Sequence, residues 1–157
     1  MITTLPISIP QRLGQLRTDR DIPCRIPAAA IGVRLDTVYG WEAGLHSPSV
    51  TDVTAYAAFL HHRIVVVRAE RTVCDLLNAL PRLGELRAAA GLTGFALSRR
   101  LCLTTCGASL LEYRARAWRP GSGRGPTLAS VQRYLEVAGY EVLVIPAQTA
   151  VAGEAAA

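Results

Sequence analysis

Four cysteines and three histidines are the residues of this 157-residue chain best suited to ligate a metal or to act as nucleophile and base. Their spacing supports neither role. Cys24, Cys74, Cys102 and Cys106 form no Cys-x-x-Cys pair. Cys102 and Cys106 can share a helix face, yet no His or acid cluster stands near them in sequence to complete a metal site. His46, His61 and His62 show no ligand or catalytic pattern. The His61-His62 pair precedes an apolar run and reads as a helix-end feature, where imidazole sits well near carbonyls. No nucleophile–base set, paired acids or phosphate-cradling glycine loop is recognisable, and Gly121-Ser122-Gly123 is linker composition. These patterns argue against an enzyme and imply neither cofactor nor metal.

The remaining chemistry belongs to arginine. All 17 basic residues are Arg, and the formal net charge is +5. Lys-free composition fits a GC-rich coding sequence; it also supplies planar donor forks suited to phosphate. The charge is uneven: residues 71–157 hold ten Arg against six acids, whereas residues 1–70 hold seven against six. Arg114, Arg116, Arg119 and Arg124 fall in a Gly- and Pro-containing stretch at 113–125. Such a stretch predicts a mobile basic arm that follows phosphates or enters a narrow minor groove. No apolar run reaches membrane-spanning length, and the N-terminus lacks the order of a secretory signal, so a cytoplasmic protein is expected.

The elements that must carry these residues are written twice. Arg12-Leu13-Gly14-Gln15-Leu16-Arg17 returns as Arg82-Leu83-Gly84-Glu85-Leu86-Arg87, a shift of 70 that also carries Trp41 to Leu111 and Glu42 to Glu112. Beyond that point the shift is 78, taking Pro48-Ser49-Val50 to Pro126-Thr127-Leu128, Tyr56 to Tyr134 and Ile64–Val67 to Val142–Ile145. The second copy therefore holds eight extra residues between Glu112 and Pro126. Caps and apolar spacing predict helices from Ser8 to about Arg20, at 25–31, at 35–42 and from Pro48 to about Leu60, then a strand at 63–67. The second copy predicts helices near 81–90, 95–101, 105–113 and 128–138 and a strand at 140–145. Modules at 8–68 and 80–146 are expected, with a linker at 69–79, where Thr72-Val73-Cys74-Asp75 caps a short helix. The tail at 147–157 is expected to be disordered.

This string resembles the Cro/repressor-type (XRE-like) helix-turn-helix family. The resemblance rests on Leu13-Gly14-Gln15-Leu16-Arg17, Ile31-Gly32-Val33, Thr37-Val38, Trp41-Glu42-Ala43-Gly44 and Pro48-Ser49-Val50. It spans about residues 10–62 and, more loosely, 80–140. The terminal strands are similar to those of HipB-like antitoxins, which pair between the two subunits of a dimer. Departures are Cys24 and Gly94 where the family often has Gln, Pro27 in place of Leu, and Gly40 and Leu110 in place of Arg. The turn glycine is Cys102 in the second copy.

The resemblance implies a mainly α fold of two lambda-repressor-like modules in one chain. Their strands would pair antiparallel about a pseudo-two-fold axis, imitating a dimer. It implies that the third helix of each module enters the major groove. The expected contacts are then Arg34, Leu35, Asp36, Thr37 and Tyr39 in the first copy, with Arg25 on the preceding helix. In the second copy they are Thr104, Thr105, Cys106 and Ser109, joined by the four Arg of the insertion. The function implied is a double-stranded DNA-binding transcriptional regulator, a repressor of phage or actinobacterial type, reading an asymmetric site as a monomer or weak homodimer. The alternative is an antitoxin-like or other protein-interaction module, bound to a toxin or to transcription machinery, with reduced base reading. The departures at Gln and Arg positions favour the alternative; the basic insertion favours the first reading.

Overall fold

Ser8 starts the first helix for a local reason. Its hydroxyl accepts from the Gln11 N–H at 3.4 Å, while Gln11 Oε1 accepts from the Ser8 N–H at 3.1 Å. In the computed structural model, which describes residues 7–148, helix α1 spans Ile9–Thr18. Helix α2 (Arg25–Ile31) contains the buried Pro27 without a break. Pro27 is the third residue of that helix, where an N–H would have no intrahelical acceptor to lose. Gly32, with φ of 79°, ends α2 in the left-handed region and lets the chain turn into α3 (Leu35–Glu42). Ser49 caps α4 (Val50–Phe59), and β1 (His62–Arg68) follows. His62 Nδ1 lies 2.7 Å from the Leu60 carbonyl at the end of α4.

The expected linker at 69–79 is instead regular structure. Ala69 and Glu70 both adopt positive φ and form a two-residue turn that folds β2 (Arg71–Asp75) back onto β1. Thr72, Val73 and Cys74 are thus strand, and Asp75 stands at the N-cap position of α5 (Leu76–Ala79) without a side-chain hydrogen bond to that helix. A 3-10 turn at Leu80–Arg82 leads into α6 (Leu83–Ala89), shorter than the expected 81–90. Thr93 caps α7 (Gly94–Arg100). Helix α8 runs Gly107–Ala117, later in start and in end than the expected 105–113. It therefore absorbs the first five residues of the expected arm. Helix α9 (Leu128–Val137) and β3 (Glu141–Pro146) complete the described chain. The Ala147 N–H donates to the His61 carbonyl at 2.9 Å, so residue 147 is tied down; residues 149–157 of the expected tail lie outside the described ones.

The protein is mostly helical with one three-stranded antiparallel sheet, in the order β2-β1-β3. The β1–β3 ladder runs from His62 opposite Pro146 to Val67 opposite Glu141. Ile64 and Val66 face the helices beside their partners Val144 and Val142, and join the two halves in a continuous core. Leu13, Val38, Trp41, Val53 and Tyr56 fill it from one half; Leu83, Leu97, Ala108, Val131 and Tyr134 fill it from the other.

One polar network recurs in both halves. Arg17 Nε and Nη2 donate to Glu42 Oε1 and Oε2 at 2.8 and 2.7 Å, and Tyr56 Oη donates to Oε1 at 2.5 Å. Arg87 and Tyr134 hold Glu112 in the same way, with Arg87 Nε to Oε1 at 2.7 Å and Tyr134 Oη to Oε1 at 2.5 Å. The remaining guanidinium nitrogen of each Arg, Nη1, donates to a carbonyl, that of Ile22 or Leu92, at 2.7 Å. A Cβ at Gly14 would lie 2.9 Å from Glu42 Cδ, and one at Gly84 would lie 2.9 Å from Glu112 Oε2. These two glycines make room for the carboxylates. Burial pushes the Glu42 carboxyl up, but hydrogen bonds from Arg17 and Tyr56 outweigh it and hold it below its ordinary 4.5. Burial and the adjoining Glu42 carboxylate push the Tyr56 phenol up, so it remains a donor.

Glu42→Ala leaves Arg17 and Tyr56 without their acceptor and is expected to cost about 3 kcal/mol in urea unfolding at pH 7. Because the folded-state pKa of Glu42 is lowered, this contribution is present above pH 4.5 and lost as pH falls through the folded value. The gap between parent and variant should narrow in acid; a gap independent of pH would show that the carboxylate charge is not what the network uses.

Candidate nucleic-acid interface

Helix α3 buries Val38 and Trp41 and turns Leu35, Asp36 and Tyr39 outward, with Arg34 at its N-cap and Thr37 half-buried. The Arg34 guanidinium grips Asp36 through Nε to Oδ1 at 3.2 Å and Nη2 to Oδ2 at 3.1 Å. Their side chains are 85% and 68% exposed, so the pair adds little to stability. The pair lies beside the first turn of α3. Arg25 is exposed on the first turn of α2.

In the second half, Thr104, Thr105 and Cys106 are exposed but precede α8 instead of lying on it. The turn between α7 and α8 is six residues long, against three between α2 and α3, and Cys102 takes φ of 55° where the first half has Gly32. The longer turn delays the helix. Ser109 is on the first turn of α8, against α7: a Cβ at Gly94 would lie 2.8 Å from Ser109 Oγ. Arg114 and Arg116 are exposed on the last turns of α8.

Several departures from the resembled pattern now have packing reasons. Cys24 is buried, 4.0 Å from Glu42 Oε1, and burial pushes its thiol up. Gly94 sits where a larger residue would strike Ser109. Gly40 lies under the His46 ring, whose Cδ2 would be 2.7 Å from a Cβ there.

The stretch after α8 is a compact loop, not an extended arm. Trp118 Nε1 donates to the Gly123 carbonyl at 3.3 Å, and Gly125 packs on the indole. Arg119 Nη1 donates to the Arg116 and Trp118 carbonyls at 2.6 and 2.9 Å, closing the end of α8. Arg119 is thus partly occupied by the fold. Arg124 is different: together with Arg34 and Thr37 it lines a cleft of about 720 Å³ whose floor includes Ser49 and Thr127. The structure therefore brings an insertion residue of one half to the exposed helix of the other, which the sequence did not indicate. It does not bring Thr104, Thr105, Cys106 or Ser109 to that cleft.

An exposed basic pair that the sequence reading did not single out stands next to this surface in the chain. Arg99 and Arg100 end α7, with the Arg99 guanidinium 5.9 Å from the centroid of the exposed Phe95 ring. Their signal was the adjacent pair itself, at the end of a predicted helix. No helix among the described residues is long and apolar enough to cross a membrane. No known family pattern, curated protein or solved structure matches the chain.

Arg114 and Arg116 test whether this surface meets phosphate. Changing both to Ala should lower the slope of log affinity for duplex DNA against log salt by about 2, at ~0.9 per phosphate contact. The urea midpoint should stay where it is, since both side chains are exposed. An unchanged slope would remove these two residues from the interface.

Proposed function

We propose that the chain is a sequence-specific double-stranded DNA-binding regulator, a repressor, built of two diverged helix-turn-helix units about a pseudo-two-fold axis in one polypeptide. One observation carries the reading. Val65 pairs with Leu143 in the β1–β3 ladder, and Ser49 bridges Thr127. In both cases a residue stands opposite its own counterpart at the 78-residue shift, as happens on a two-fold axis. Around the second pair the exchange is reciprocal: the Val50 N–H donates to the Pro126 carbonyl at 3.0 Å, and the Leu128 N–H donates to the Pro48 carbonyl at 2.8 Å. The repeated Arg–Glu–Tyr network and the resemblance to the Cro/repressor-type family support the same conclusion.

In this reading α3 and α8 each enter a major groove, at half-sites about one helical turn apart. Arg34, held by Asp36, reads guanine or grips a phosphate. The two helices present different side chains, so the site is asymmetric. A second reading, an antitoxin-like protein-interaction module, draws on one observation: Leu103, Leu110 and Tyr113 are exposed apolar residues on or beside α8. In that case the second unit binds a protein and only the first meets DNA.

Selection from random duplexes should enrich an asymmetric site with two half-sites. Arg34→Ala should lower affinity for that site by about 1–3 kcal/mol and relax base choice in one half-site only. Enrichment of one half-site alone would favour the second reading, and no enrichment at all would remove the regulator.

A further inference from the structure

We propose that the Trp118–Pro126 loop is a minor-groove reader that sits at the centre of the DNA site and senses the base pairs between the two half-sites. The inference rests on the two-unit reading above and adds to it the occupant of the spacer.

The loop after α8 has ten residues, Trp118–Thr127, whereas its counterpart after α3 has seven, Ala43–Ser49, with no Arg among them. Five residues separate Glu42 from Pro48, whereas thirteen separate Glu112 from Pro126. Its far end is fixed: the Pro126 carbonyl accepts from Val50, and Thr127 bridges Ser49, the pair that stands opposite its own counterpart. The loop therefore rises directly beside the two-fold axis. It is held in shape by the Trp118–Gly123 bond and by the Ser122 N–H donating to the Arg119 carbonyl at 3.0 Å. Arg124 lines one cleft with Arg34 and Thr37 of α3, so the loop lies on the face where the exposed helix begins. Among the described residues Arg124 has no hydrogen-bond or ion-pair partner, in contrast to Arg119.

Duplex geometry supplies the rest. Two major-groove half-sites one turn apart face the protein together, so midway between them, about five base pairs from each, the minor groove faces it. An element on the axis meets that groove. A guanidinium is drawn to a narrow A·T-rich minor groove by its negative potential, and the guanine 2-amino group obstructs it. The diverged units make the half-sites differ; the Arg-bearing loop makes the spacer a third region that is read.

The test rebuilds the selected duplex with its central base pairs as A·T, G·C or inosine·C, the last having the minor groove of A·T with the major groove of a G·C pair. Fluorescence anisotropy should give A·T and inosine·C centres about 5- to 10-fold tighter binding than G·C centres. Arg124→Ala should bind all three alike, with an unaltered thermal melt. Equal binding of the parent to all three centres, or an Arg124→Ala protein that keeps the full preference, would overturn the spacer reader and leave the two-unit reading standing. A chain that selects no duplex would overturn both.

Discussion

A carboxylate taken out of water must be given donors, and two such groups set the shape of this protein. Glu42 closes the C-terminal end of α3, and Glu112 lies midway along α8. Each is gripped by an Arg from the first helix of its half and a Tyr from the fourth. Three helices are thereby fixed to one another through a single side chain. The grip needs space, which Gly14 and Gly84 provide by having no Cβ. The exposed side chains of α3 are held at a defined distance from the core because the other end of that helix is pinned. Loss of the pin would free the helix that carries Arg34.

The halves share this pin and differ around it. The first has a three-residue turn with Gly32; the second has a six-residue turn with Cys102 in the left-handed region, a conformation that costs a non-glycine residue about 1 kcal/mol. Strand β2 forms one edge of the sheet beside β1, and among the described residues no strand lies beside the outer edge of β3. The loop after α8 is ten residues long, against seven after α3. The halves thus differ mainly in their connections, while the pinned helices recur in both.

Much of this was legible in the sequence where the cause is local. Ser8, Ser49 and Thr127 cap the helices they precede, and apolar spacing placed Val38 and Trp41 inward and Tyr39 outward. The β1–β2 hairpin was not legible, because its turn is Ala69-Glu70, without the Gly or Asn that marks such turns. The extension of α8 through Arg114-Ala115-Arg116-Ala117 had a signal in four good helix formers, overridden by attention to their charge. Trp41-Glu42 read as structural, yet the partners of Glu42 lie 25 and 14 residues away, beyond any local pattern. Arg34 could be placed on an exposed helix start from spacing alone. Its neighbour in space, Arg124, comes from the opposite half, and only the tertiary fold joins them.

The ladder between β1 and β3 has a consequence for how the protein responds to its own abundance. Both strands belong to one polypeptide, so each sees the other at the high effective concentration that a covalent tether imposes. Strands on separate subunits part on dilution; these two are tethered and cannot diffuse apart. Their pairing is first order, and the unfolding midpoint should not move with protein concentration. A protein assembled from dissociating subunits loses its paired form steeply as copies become scarce. This chain keeps the β1–β3 pairing within each molecule, whatever the number of copies.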